Sequence, residues 1–348
     1  MSTVLVVGGT GPTGFALVER LLARGDRVTI LHTGAHEVPF SGPVEHLHTD
    51  PNKLDDLTQA LKSRVFDSAI STSGKLRHVV RTLDGAVGRL IAVTGLPAYA
   101  GWLVTPGEAG YPVPLREDDP PIRELGNSRH DILTARVQAG ERDALDTSAR
   151  GGFEAAIVRY TMVYGPYAYV PFEWYFVRRA LDGRRHLALE ADGLMLPQRG
   201  YAENLAAAIL LLLDHPDANG RVFNVGDEQV LSVRAIADTV ASALGHQFEP
   251  VSVPLRHSPC RNPFSMRQNT LLDLSALRGL GYRDEVPVIE ATRRTAIWMA
   301  EHPVAVGSSE ELTLGERAFD YAAEDRAIDV FRRVQDDYLA VAETGVLQ

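Results

Sequence analysis

An α/β protein with a doubly wound parallel sheet is what this sequence predicts, and three observations predict it. A short β-branched apolar run, Val4 to Val7, stops at a cluster of glycines, Gly8, Gly9, Gly11 and Gly14. A helical pattern follows at once, with Phe15, Leu17, Val18, Leu21 and Leu22 on one side and Arg24-Gly25-Asp26 closing it. Arg27 to Leu31 then reads as a second strand, and the same alternation continues to Val93.

Taken in order, Val44 to Leu47 reads as the third strand, Leu54 to Leu61 as a helix and Ser68 to Ile70 as the fourth strand. Val79 to Val87 is expected to be helical and Leu90 to Val93 to form a fifth strand. Residues 101–126 are rich in Pro, Gly and acidic side chains, so they read as a loop over the sheet edge. A polar helix over Asp131 to Ala149 precedes a buried strand at Ala155 to Arg159. From Pro166 the alternation breaks and aromatics accumulate: Tyr167, Tyr169, Phe172, Trp174, Tyr175 and Phe176. The apolar helix Glu203 to Leu213 and the strand Arg221 to Val225 are expected to rejoin the first sheet layer. The expected division is a first domain over 1–165, rejoined by 199–227, and a smaller lobe from 166–198 and 228–302. A helical tail over 303–348 carries Ile328, Phe331, Val334, Tyr338 and Val341 at helical spacing, for docking on the body or on a partner subunit.

Composition narrows the function. A net charge of −10 argues against nucleic acid or an anionic membrane as partner, since both need a basic surface. The apolar stretch Leu205 to Leu213 stops at Asp214, well short of the roughly 18 residues of a membrane span. The N-terminus has no charged region before its glycine turn, so no signal peptide is expected. The single cysteine, Cys260, rules out an intrachain disulfide and fits a reducing cytosol; Pro259 and Arg261 beside it offer no base, which points to a structural thiol. A cytoplasmic protein acting on a small molecule is expected.

The segment Gly8-Gly9-Thr10-Gly11-Pro12-Thr13-Gly14 sits between a strand and a helix. Glycines there permit a tight turn and close backbone approach to a pyrophosphate, and the helix N-terminus adds oriented N–H groups and partial positive charge. Within a strand–helix–strand unit this is a Rossmann-type dinucleotide site, with a smaller C-terminal substrate lobe expected after it.

Several later segments extend the pattern. Arg159-Tyr160-Thr161-Met162-Val163-Tyr164-Gly165-Pro166, Glu203-Asn204-Leu205-Ala206, Arg221-Val222-Phe223-Asn224-Val225-Gly226 and Leu280-Gly281-Tyr282 with Val286-Pro287 and Trp298 occur in that order. Together with the glycine turn they resemble the extended short-chain dehydrogenase/reductases, the group of sugar-nucleotide epimerases and dehydratases, over about Val4 to Met299. The resemblance implies that Asp50 bonds the adenine amino group and that Ser71, Thr72, Ser73 and Gly74 flank the cofactor's phosphates and ribose. It also implies that Tyr160 and Val163 lie near the nicotinamide. An acidic residue ending the second strand would select NAD; here His32 and Thr33 stand there, with His36 nearby, which favours NADP(H) while leaving NAD(H) open.

The family's usual proton-transfer pair is missing. Its members use a Tyr-x-x-x-Lys pair on a mid-chain helix, with a serine or threonine after the fifth strand. The lysines of this chain are Lys53, Lys62 and Lys75, and neither Tyr nor Lys occurs from Pro112 to Arg159. Aligning on Tyr99 puts Gly95 at the serine with Thr94 beside it; aligning on Glu141 puts Gln138 at the lysine and Thr134 at the tyrosine, and other registers bring Asp131 or Ile132 there. Candidate proton-handling residues are therefore Thr94, Tyr99, His130, Asp131 and Tyr164. His130-Asp131 at a helix start also reads as a cap.

Three functions fit. The first is an atypical reductase that keeps hydride transfer to or from a carbonyl or alcohol, in specialised metabolism. The second is a sugar-nucleotide epimerase or dehydratase, although Pro197 stands where such enzymes carry an arginine, with Arg199 two residues on. Arg261 and Arg267 could bind a diphosphate in that case. The third is a non-catalytic dinucleotide-binding sensor or partner. The aromatics after Pro166 suggest a bulky substrate or, equally, packing within the lobe. His46 and His48 share a strand face, but with no third ligand at suitable spacing no metal site is expected. The resemblance leaves a homodimer open, with no clear seam on the polar helix.

Overall fold

The computed structural model describes residues 1–103, 110–254 and 262–343; Cys260 and Arg261 lie outside the described residues. In chain order the first elements are β1 Thr3–Val7, α1 Pro12–Ala23, β2 Arg27–His32, β3 Glu45–His48, α2 Leu54–Leu61, β4 Phe66–Ser71, α3 Leu76–Leu83 and β5 Val87–Gly95. There follow α4 Arg129–Ala149, β6 Glu154–Tyr160, β7 Met162–Tyr164, α5 Trp174–Leu181, β8 His186–Glu190, β9 Arg199–Tyr201, α6 Ala202–Asp214 and β10 Arg221–Val225. The last are α7 Val233–Ala243, β11 Glu249–Val253, α8 Ser275–Gly279, α9 Val288–Glu301, α10 Ser309–Leu312 and α11 Tyr321–Glu343.

The chain divides into two units, the first made of residues 1–167, 198–228 and 271–286. Its seven-stranded sheet runs in the order β10-β6-β5-β4-β1-β2-β3, with every neighbouring pair parallel. The doubly wound parallel fold class read from the sequence holds. β1 is apolar without interruption because both faces of the sheet are covered. Val4 and Val6 pack with Leu17, Leu21, Ile209 and Leu212 of α1 and α6. Leu5 and Val7 point the other way, onto Leu57, Val79, Leu83 and Ala144 of α2, α3 and α4. Chain order reverses between β1 and β4, which opens a crevice at their carboxyl ends.

Two boundaries differ from the sequence reading. The α3 helix ends at Leu83, because Gly85 takes a φ of 74° and Val87 already belongs to β5. Residues 271–286, expected in the smaller lobe, pack with the first unit: Tyr282 donates to the Asn204 carbonyl at 3.0 Å, and Leu272 N–H to Gln198 Oε1.

The second unit comprises 168–197, 229–270 and 287–348 over their described residues, so the tail belongs to it rather than standing apart. Strands β8 and β11 pair in parallel, and Ile328 of α11 is buried against Ala188, Val251 and Val253. Arg179 is fully buried with Glu324 of α11, its guanidinium 3.6 Å from the centre of the Tyr175 ring. Tyr175 and Phe176 are themselves fully buried, and Phe172 packs on Phe264. This part of the aromatic cluster is packing within the unit, so it carries no inference about substrate size.

Candidate dinucleotide and substrate site

Everything that follows lies in the first unit. Gly9 has a φ of 77°, which a side chain would strain. A Cβ on Gly14 would lie 2.7 Å from Gly9 Cα, so α1 can approach the turn this closely only with glycine there. Pro12 starts α1 behind Gly11, and the first turn contains no acidic residue, leaving its N–H groups and dipole free for an anion. The hydroxyl of Thr13 is buried and has no hydrogen-bond partner among the described residues. An orphaned donor beside a helix N-terminus and a glycine cradle fits a pyrophosphate. Thr10 is buried in the same turn.

Across the crevice lies the loop after β4. Thr72 donates to the Val7 carbonyl at 3.1 Å, and Ser71 to the Ser73 carbonyl at 3.2 Å. Asp50 accepts both the backbone and the side-chain amide of Asn52 through Oδ1, which holds its carboxyl below the usual range. That turn meets the other loop closely, since a Cβ on Gly74 would stand 2.7 Å from Pro51 Cβ. Glycine turn, α1 and both loops together fit a nicotinamide dinucleotide.

The end of β2 differs from expectation. The sequence puts His32 and Thr33 there, yet the Glu37 carboxylate also reaches it, with Oε1 3.7 Å from His32 Nε2. The Nε2 of His32 also lies 3.2 Å from His46 Nδ1. Burial lowers the pKa of His32, which favours the neutral ring. Thr33 is exposed beside it.

A cavity of about 790 Å³ opens beyond the carboxyl ends of β4, β5 and β6. Its walls come from Gly74 and Lys75, from Val93, Thr94 and Gly95, from Tyr160, Thr161 and Met162, and from Leu133, Arg136 and Val137 of α4. Among the described residues no carboxylate lines it, and Lys75 and Arg136 have no ion-pair partner. Thr94 donates to Glu141 at 2.6 Å. The same carboxylate holds Arg159 at 2.6 Å; burial opposes the Arg159 charge, but Glu141 outweighs it and keeps the guanidinium firmly protonated.

The candidate proton-handling residues separate. Thr94 lines the cavity. Tyr99 does not: its side chain is 6% exposed, and its hydroxyl donates to Asn224 Oδ1 at 2.5 Å while burial pushes its pKa up. Tyr164 is 1% exposed and donates to Asp227 at 2.7 Å. Asp131 closes a capping box with Ser128 and pairs with Arg123 at 2.8 Å, and His130 is exposed beside it, outside the cavity wall. All but Thr94 are thus spent on structure or turned away. Tyr160 and Met162 line the cavity, while Val163 packs against the core.

Of the α4 residues aligned with the Tyr-Lys pair, Thr134 is buried and Gln138 donates to the Ala98 carbonyl at 2.9 Å, and neither lines the cavity. Among the α4 residues on the cavity, Leu133, Arg136 and Val137, the apolar i, i+4 pair is Leu133 and Val137. Sequence reasoning missed them, although an apolar i, i+4 pair on a polar helix was the available signal. It also missed Lys75 and Arg136, which only the folding of separate segments brings to one wall.

Residues 134–226 match the NAD dependent epimerase/dehydratase family. Chloroplast stem-loop binding protein of 41 kDa b from Arabidopsis thaliana is 24% identical over 259 residues, covering 70% of this chain and 63% of that protein. The 2'-dehydrokanamycin reductase of Streptomyces kanamyceticus is 26% identical over 258 residues, covering 72% of this chain and 69% of that one. Among solved structures, UDP-glucose 4-epimerase of Thermus thermophilus in complex with NAD is similar with a TM-score of 0.65, at 22% identity over 87% of this chain and 100% of that chain. No helix among the described residues is long and apolar enough to cross a membrane.

Proposed function

We propose, for a chain that is an epimerase/dehydratase-like short-chain dehydrogenase/reductase with a degenerate catalytic triad, the reduction of a carbonyl group on a bulky small molecule. The observation that carries this reading is the apolar pair Leu133 and Val137 on α4, where the family's Tyr-Lys pair is missing, in a cavity large enough for a glycoside. Oxidising an alcohol needs a base to take its proton; the α4 side of the cavity offers none, and the imidazole on the lining is that of His78, on α3. Reduction makes the opposite demand: the carbonyl carbon receives a hydride and the developing alkoxide takes a proton, which water can give. When bound at the glycine turn, a dihydronicotinamide would supply that hydride and would leave oxidised. Thr94, whose hydroxyl proton goes to Glu141, and Tyr160 border the reacting space and position the substrate by packing against it. The similarity to a reductase of a ketone-bearing aminoglycoside supports a keto-glycoside as substrate. With a net charge of −10 in the chain, we propose no nucleic-acid or membrane partner.

NADP(H) is the proposed cofactor, because β2 ends in an imidazole rather than a carboxylate. Glu37, the nearby acid, is engaged by His46 and His48 at 3.3 and 3.1 Å. The second reading, a nucleotide-sugar epimerase with an internal redox cycle, draws support from the family matched over 134–226.

Cofactor deuterated at the transferring position separates the two. With a panel of keto-glycosides, net reduction leaves one deuterium per product and one oxidised cofactor per turnover. An internal cycle on nucleotide sugars consumes no cofactor. If neither substrate set turns over while dinucleotide binds tightly, the enzyme reading fails in favour of a sensor.

A further inference from the structure

We infer that His32, Glu37, His46 and His48 form a binding site for a divalent first-row transition-metal ion, with the geometry of zinc. None of the four residues lines the cavity described above; they stand on β2, β3 and the loop between them, at the edge of the first unit's sheet, and the inference does not depend on the proposed reaction.

Strand pairing builds the site. β2 and β3 run parallel with His32 opposite His48, and Ile30 opposite His46. His46 and His48 alternate onto one face of β3, so the three imidazoles face each other. The loop between the strands then folds Glu37 back over them. One ligand-bearing atom from each of the four residues lies within 4.8 Å of all the others.

The spacing is that of a coordination shell. Tetrahedral zinc with ligand bonds of about 2.05 Å places its donors roughly 3.3 Å apart. Here His32 Nε2 to His46 Nδ1 is 3.2 Å, His46 Nδ1 to Glu37 Oε2 is 3.3 Å, His48 Nε2 to Glu37 Oε1 is 3.1 Å, and His32 Nε2 to Glu37 Oε1 is 3.7 Å. Three imidazoles and one carboxylate are a donor set suited to zinc, copper or nickel and poorly suited to magnesium or calcium. His32 is 6% exposed, and among the described residues its other ring nitrogen, Nδ1, is buried without a partner, so its polar contacts there are to the cluster alone. Glu37 and His48 are half-exposed, which leaves the ion a route in from solvent.

An ion there ties the 33–44 loop to β3, the edge strand of the sheet. The sequence concealed this because His46 and His48 were visible as a pair, while the remaining ligands stand 14 and 9 positions before His46, on another strand and in a loop.

The full chain, stripped with a chelator, should take up one equivalent of Zn²⁺ in competition with a chromophoric zinc indicator at neutral pH. The expected dissociation constant is micromolar or tighter, and the His46→Ala and His48→Ala variants should each weaken it by roughly 10- to 100-fold. Glu37→Gln should weaken it less. His302→Ala, an exposed histidine elsewhere, should leave it unchanged. Circular dichroism checks that the His46 and His48 variants fold, as their side-chain exposures of 29% and 56% allow. Co²⁺ bound in place of zinc should give the intense visible bands of a tetrahedral ion. Uptake equal in the wild type and the His46→Ala/His48→Ala double variant would overturn the inference. So would an absence of stoichiometric uptake, including the case where those imidazoles bind only the phosphate of NADP.

Discussion

Gly14→Ala tests the dinucleotide site most directly, because its effect can be worked out from the packing. The added Cβ would lie 2.7 Å from Gly9 Cα and 2.8 Å from Gly9 N and C, all backbone atoms. Ordinary carbon–carbon contact is about 3.5–4.0 Å, so the gap must open by close to 1 Å. The helix cannot be the part that moves: Leu17, Val18 and Leu21 of α1 are fully buried in the core. The turn at Gly8 to Gly11 yields instead, and it is the part that meets the pyrophosphate. Overpacking of this kind costs roughly 1–3 kcal/mol. If binding alone bears that cost, the dissociation constant rises roughly 5- to 150-fold. Fluorescence titration with NADPH and with NADH, each with a thermal melt, measures it. Both cofactors should lose by a similar factor, since the pyrophosphate is common to them. Gly279→Ala is the control, because nothing lies within 4 Å of the new methyl. Affinity for both cofactors within twofold of wild type in a well-folded Gly14→Ala protein would refute the placement of the pyrophosphate on this turn.

Other outcomes follow from the same structure. Installing a proton relay with Leu133→Tyr and Val137→Lys together should raise turnover of a carbonyl substrate by roughly tenfold or more, with neither single change sufficient; no gain would mean that this wall does not face the reacting carbon. Tyr99→Phe removes the buried bond to Asn224 and should cost about 1–2 kcal/mol in urea unfolding while turnover stays within about threefold; a hundredfold loss would restore Tyr99 as a proton donor. Asp284 is pushed up to about 7, chiefly by burial, with Asp227 and Glu228 nearby adding to it. The folded chain therefore keeps a proton that the unfolded chain has lost from about pH 4 upward, so this contribution to stability fades as pH rises from there to about 7. Melting temperature should fall from about pH 4 to about 7 and level off above that, and Asp284→Asn should flatten the fall; parallel curves for the two proteins would contradict it.

Much of this molecule was legible before any coordinates, for reasons local to the chain. Strand β1 is recognisable because a sheet covered on both faces demands an unbroken apolar run, as Val4 to Val7 supplies. The glycine turn is recognisable because a backbone pressed against α1 admits no side chain at Gly14. Loss of the Tyr-Lys pair is independent of alignment, since the residue types are simply missing from Pro112 to Arg159. These features need only the identity and spacing of neighbours.

What the tertiary structure decided is which atoms meet. Tyr99 and Tyr164 look reactive as letters, yet Asn224 and Asp227, supplied by and just after the distant β10, bind both hydroxyls. Which turn of α4 faces the cavity was set by packing: a shift of one residue rotates a helix by about 100°, replacing Thr134 and Gln138 with Leu133 and Val137. The three imidazoles and the carboxylate at the sheet edge came together through strand register and a returning loop. Identity and local spacing determine what chemistry a chain carries; long-range packing determines where its groups are held and which remain free to use it.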